Sequence, residues 1–93
     1  MIRSFRDKDT EALYEGRPVR RFQAFRRQAE RRLQILDSAA SLGDLAALPS
    51  NRFEALAGRR KGQYSIRVNR RWRVCFAWRD DEPCGVEIVD YHR

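Results

Sequence analysis

Two runs, GQYSIRVN at 62–69 and RWRVCFAW at 71–78, alternate apolar and polar residues and are separated by one residue. A period of two is the signature of a β-strand with one face buried. Tyr64, Ile66 and Val68 point one way, with Ser65 and Arg67 opposite. Trp72, Val74, Phe76 and Trp78 point one way, with Arg73, Cys75 and Ala77 opposite. A gap this short cannot hold a parallel crossover, so the runs pair antiparallel. Asn69-Arg70 suits the hairpin turn, because asparagine tolerates left-handed backbone. Asp80 to Gly85 predicts a second turn, and GVEIVDY the closing strand. RFEAL (52–56) is a weaker strand candidate and IRSF (2–5) a short opening one.

Helical periodicity fills the first half. Asp9 can cap a short helix over Thr10 to Glu15, which Gly16 ends. Pro18 suits the first position of a longer helix. There Val19, Phe22, Phe25, Ala29, Leu33, Leu36 and Ala40 recur at three- and four-residue steps, an apolar stripe that belongs in a core. Gly43, Pro49, Ser50 and Asn51 then predict a loop. The expected fold is α+β: two N-terminal helices on one face of a small, twisted, mainly antiparallel sheet whose other face stays partly open. Ninety-three residues suit one domain spanning 1–93.

Charge narrows the function. There are 20 Lys+Arg against 13 Asp+Glu, net +7, and only Lys8 and Lys61 among the cations are not arginine. Arginine forks match phosphate oxygens, so clustered arginine points to a polyanion. No apolar run reaches membrane-spanning length, and the opening residues lack a signal-peptide core, so cytoplasmic residence is expected. Two cysteines and one histidine offer neither a disulfide framework nor metal-ligand spacing.

Arg67 and Arg73 fall on the non-core side of adjacent strands, where like charges need an anion between them. Either a carboxylate, Glu54 or Glu87, or a bound phosphate satisfies that need. Asp90, Tyr91 and His92 bring a carboxylate, a phenol and an imidazole to the same sheet. An imidazole titrates near neutrality and can act as a general acid. Strict alternation sets Tyr91 on the arginine side and His92 on the other, unless the tail leaves the ladder. Arg59, Arg60, Lys61, Arg70 and Arg71 fall in the turns flanking the YSIRVN strand and suit contact with RNA backbone. Trp72 and Trp78 read as core.

NRFEALAG, GQYSIRVN, WRVCF and VEIVDYHR together resemble the HigB-type toxins of the RelE/ParE superfamily, also called plasmid-maintenance killer proteins. The likeness runs from MIRSF to the final arginine. It implies a RelE-like fold and a ribosome-dependent mRNA endonuclease, without metal or other cofactor, that attacks the phosphate with a ribose 2′-hydroxyl and leaves a cyclic phosphate. By motif, the implied catalytic surface is Arg67, Arg73, Asp90, Tyr91 and His92. The implied partners are the ribosome and its mRNA, and a HigA-like helix-turn-helix antitoxin through which the complex would bind operator DNA. The acidic turn Asp80-Asp81-Glu82 and the arginine-rich second helix are both candidate docking surfaces for that antitoxin. Some relatives carry a histidine and a lysine where this chain has Glu54 and Ala57; Glu54 is then either a base toward the 2′-hydroxyl or equally a salt-bridge partner for Arg52 or Arg67. The alternatives are a non-catalytic inhibitor resembling gyrase poisons and an RNA-binding module that does not cut.

Overall fold

The alternating runs form the centre of a four-stranded antiparallel sheet in the order β1-β2-β3-β4. The strands are β1 Glu54–Ala55, β2 Gln63–Arg67, β3 Trp72–Arg79 and β4 Glu82–Asp90. The computed structural model describes residues 1–91. Ile66, Val74, Phe76, Val86 and Ile88 line the face that meets the helices and are almost fully buried.

Both turns differ in mechanism from the sequence reading. Asn69 does not adopt left-handed backbone. Its side-chain oxygen instead accepts from the N–H groups of Arg71 and Trp72, each at 2.9 Å, so the turn is held by a side-chain bond. The second turn is Asp80-Asp81 alone, with φ of 53° and 62°. Two successive left-handed residues match the natural twist of a hairpin. The chain therefore reverses early, and β4 begins at Glu82 rather than after Gly85. Gly85, at φ 59°, lies instead where the β3–β4 register slips between Cys75 and Ala77. It supplies the extra residue of a bulge.

Residues 2–5 lie along the edge of β4 without forming a full strand. Phe5 makes one parallel bridge with Val86. The Arg3 and Arg6 N–H groups donate to the carbonyls of Pro83 and Val86, both at 2.9 Å.

Three α-helices cover the inner face: α1 Lys8–Tyr14, α2 Arg26–Ser38 and α3 Leu42–Ala47. Asp7, not Asp9, caps α1, accepting from the Thr10 N–H at 3.0 Å. Asp9 pairs with Arg21 at 2.8 Å instead. The long helix expected from Pro18 opens as a 3-10 segment, Arg20–Phe25. In that geometry residues three apart align. Phe22 and Phe25 therefore both reach Trp72, with ring centroids 5.8 and 4.9 Å away. The rest of the stripe is buried as expected through Leu36. Ala39 takes the place of Ala40, because α2 stops at Ser38.

The stretch read as loop holds α3. Ser41 accepts from the Asp44 N–H at 3.1 Å while Asp44 accepts from the Ala40 N–H at 2.9 Å, a reciprocal cap. No helix among the described residues is long and apolar enough to cross a membrane.

A cationic sheet face as candidate active site

Arg73 projects from β3 away from the helices, yet it is only 8% exposed. Its Nε donates to Ser65 Oγ at 2.7 Å. Its Nη2 donates to the Arg52 carbonyl and, at 3.4 Å, to the Ser65 carbonyl. Ser65 is fully buried on β2, and Arg52 sits in left-handed backbone just before β1, at φ 45° and ψ 48°. Burial pushes the Arg73 pKa below its ordinary value; Glu54, Cys75 and Tyr91 pull it back up and Arg67 adds to the lowering. A guanidinium starts so far above neutrality that the charge persists.

Arg67 stands directly across the ladder from Arg73, a like-charge pairing that costs stability. Two acceptors offset it. Arg67 Nε donates to the Asn69 carbonyl at 3.0 Å, and Glu54 Oε1 lies 3.6 Å from Arg73 Nη2. Glu54, not Glu87, is thus the nearby carboxylate. Its side chain is half exposed, and at 3.6 Å the contact is an ion pair without a hydrogen bond. Glu87 is engaged elsewhere, by Arg6 at 3.0 Å and Arg60 at 3.2 Å. Tyr91 completes this end of the face, its ring centroid 5.9 Å from the Arg73 guanidinium carbon, within cation–π range.

Asp90 takes a different direction. It lies across from Trp72 in the ladder and is gripped by Arg71, Nη2 at 2.8 Å and Nε at 3.2 Å from each oxygen. The pair raises the Arg71 pKa through that hydrogen bonding. The structure therefore brings Arg67, Arg73, Tyr91 and Glu54 together and ties Asp90 to Arg71 on the neighbouring turn. His92 lies outside the described residues.

Of the turn cations, Arg60 is committed to Gln63 at 3.0 Å and to Glu87. Arg59, Lys61 and Arg70 are exposed around the face. Cys75, fully buried beneath it, has its thiol pushed up to about 11 by burial and is not a reactive nucleophile. A recess of about 850 Å³ between α1 and α2 contains none of these groups. The candidate site is an open, cation-lined sheet face.

Sequence reasoning missed two supports of this face. Alternation placed Ser65 on the arginine side, but nothing marked it as an acceptor for Arg73. The Arg52 carbonyl has no sequence signal, because a left-handed arginine is not announced by its residue type.

Helices behind a small antiparallel sheet, with an open cationic face in front, make a RelE-like fold. The described chain superposes on the YoeB-YefM complex from Staphylococcus aureus with TM-score 0.62 at 18% identity, covering 100% of this chain and 99% of that one. It superposes on a heterotetrameric YoeB-YefM toxin-antitoxin complex from the same organism with TM-score 0.59 at 16% identity, with the same coverage. The family profile described as RelE-like toxin of type II toxin-antitoxin system HigB matches residues 3–92. The sequence is 42% identical over 93 residues to Toxin HigB-1 of Vibrio cholerae serotype O1, covering 98% of this chain and 94% of that protein. It is 30% identical over 97 residues to Endoribonuclease HigB of Proteus vulgaris, covering 99% and 100%. The chain belongs to the HigB-like toxins of type II toxin–antitoxin systems.

Proposed function

We propose that this toxin is an endoribonuclease that cuts mRNA on the ribosome, and that the face around Arg73 is where it cuts. The observation that carries the reading is Arg73 itself: a buried guanidinium fixed by protein oxygens on the open side of the sheet, with Arg67 directly opposite. Two fixed cations of this kind suit the non-bridging oxygens of a phosphodiester and the charge that grows there as it is attacked. The relative named an endoribonuclease supports the same chemistry.

In this reading the ribose 2′-oxygen attacks the adjacent phosphorus and the bond to the 5′-oxygen breaks, leaving a cyclic phosphate and a 5′-hydroxyl. Glu54 is the candidate to accept the 2′-hydroxyl proton. His92 is the candidate to protonate the departing 5′-oxygen. Tyr91 packs beside Arg73, where its hydroxyl or ring can meet the substrate. Asp90 acts at a remove, by anchoring the tail to Arg71. Arg59, Lys61 and Arg70 meet ribosomal RNA backbone. A helix-turn-helix antitoxin silences the toxin and carries the complex to operator DNA, all in the cytoplasm.

The test adds purified protein to a translating extract and maps message ends. Cuts at ribosome-occupied codons that slow severely with His92→Ala bear the reading out. Intact message beside arrested DNA replication would replace it with the gyrase-inhibitor alternative.

A further inference from the structure

We propose that Asn51 is a positioning residue for this face: it pins Arg52 in its left-handed conformation, and the Arg52 carbonyl in turn holds the Arg73 guanidinium. The inference rests on reading Arg73 as the phosphate-binding group. It adds a residue that touches neither substrate nor any group that does.

Asn51 is fully buried, and both ends of its side-chain amide are engaged. The oxygen accepts from Arg32 Nη1 of α2 at 2.7 Å. The nitrogen donates to the Leu45 carbonyl of α3 at 3.0 Å. Its backbone N–H donates to the Leu48 carbonyl at 3.0 Å. These bonds fix one residue between two helices on the far side of the sheet from Arg73. The next residue is Arg52.

Left-handed backbone is disfavoured for a residue with a Cβ, and it persists only where neighbours over-determine it. Here the Arg52 N–H is tied to the Pro49 carbonyl at 3.1 Å, and its carbonyl accepts from Arg73 Nη2. On the other side Phe53 stacks on Tyr64, ring centroids 5.6 Å apart. Arg52 is therefore held from both directions, and the relaxed conformation would swing its carbonyl away from Arg73. Ser65 would then remain the guanidinium's acceptor. Arg32, Asn51, Arg52 and Arg73 form one unbroken line from the helical layer to the candidate site.

The experiment compares wild type with Asn51→Ala and the milder Arg32→Ala, each first checked for a cooperative thermal transition. Two quantities are read: solvent exchange of the Arg73 Nη2 protons, the ones that meet the Arg52 carbonyl, by nitrogen-15 NMR, and mRNA cleavage at saturating ribosomes alongside ribosome affinity. Asn51→Ala is expected to speed that exchange and to lower the saturated cleavage rate by about 100-fold, the scale of a misplaced catalytic group. Ribosome affinity stays unchanged, because Asn51 contacts no surface cation except Arg32. Arg32→Ala shows smaller changes of the same kind and keeps the test alive if Asn51→Ala fails to fold. Wild-type exchange together with a wild-type cleavage rate in either folded variant overturns the proposal. Arg73→Lys separates the two readings. If it cuts like wild type, Arg73 leaves the chemistry, and the exchange measurement alone decides whether Asn51 positions it.

Discussion

Arg71 clasps Asp90 through two nitrogens, the shorter contact being 2.8 Å, while the Arg71 carbonyl accepts from the Tyr91 N–H at 2.6 Å. One turn residue therefore holds two consecutive residues of the tail. Arg71 is largely exposed and Asp90 about one-third so, so the pair contributes little to global stability but fixes the chain as it leaves β4.

The first prediction follows from that clasp. Asp90→Ala is expected to leave the urea midpoint close to wild type while releasing Tyr91 from Arg73. The Tyr91 amide should exchange with solvent faster, and cleavage in a translating extract should fall by up to about 100-fold, the scale of a misplaced group. A wild-type cleavage rate would show that the clasp is ornamental.

Ser65→Ala tests the buried support of Arg73. The substitution removes the Oγ acceptor and leaves a buried N–H of a charged group without a partner. The expected loss is about 1–3 kcal/mol of stability, read by urea unfolding, together with slower cleavage. Ser65→Thr keeps the acceptor and should recover part of both.

Half-buried Arg67 tests the polyanion argument. If it neutralises one phosphate, Arg67→Gln lowers the slope of log affinity for ribosomes against log salt by about 0.7 to about 0.9. The same change applied to Arg59 or Arg70 separates cations that meet RNA from those that do not. A slope identical to wild type in all three would remove the phosphate contacts assigned to this face.

Cys75 predicts a pH effect. Its thiol is raised from the usual 9.0 to about 11, chiefly because burial penalises the thiolate. A raised folded value means that the unfolded chain loses its proton first. The associated stability is therefore fully present below pH 9 and is lost as pH climbs through about 11. Iodoacetamide near pH 8.5 should label the partly exposed Cys84 and spare Cys75 by about tenfold or more. Equal labelling would mean that β3 opens far more readily than its packing implies.

Much of this was legible in the residues. The period-two runs gave β2 and β3 their faces, because burial on one side of a pleat leaves an unambiguous mark. The α2 stripe did the same at helical period. What escaped was set by context. Phe22 and Phe25 demand a tighter helix only once Trp72 stands opposite them. The Ser41–Asp44 cap outweighed the apparent break at Gly43. Alternation already set Asp90 on the opposite pleat from Tyr91, but nothing local marked Arg71, 19 residues earlier, as its partner. The role of Arg52 depends on a backbone angle, and that angle on helices assembled elsewhere.

The seam between residues 3–6 and β4 joins opposite ends of the described chain. During synthesis the amino-terminal helices emerge well before Glu82–Asp90 has been made, so the first strand-like segment must wait for its neighbour. Until then β3 lacks its outer partner and Tyr91 has not reached Arg73. A nascent molecule therefore carries Arg67 and Arg73 on an unfinished sheet while its own ribosome still holds it, and truncation anywhere before β4 leaves β3 without that neighbouring strand.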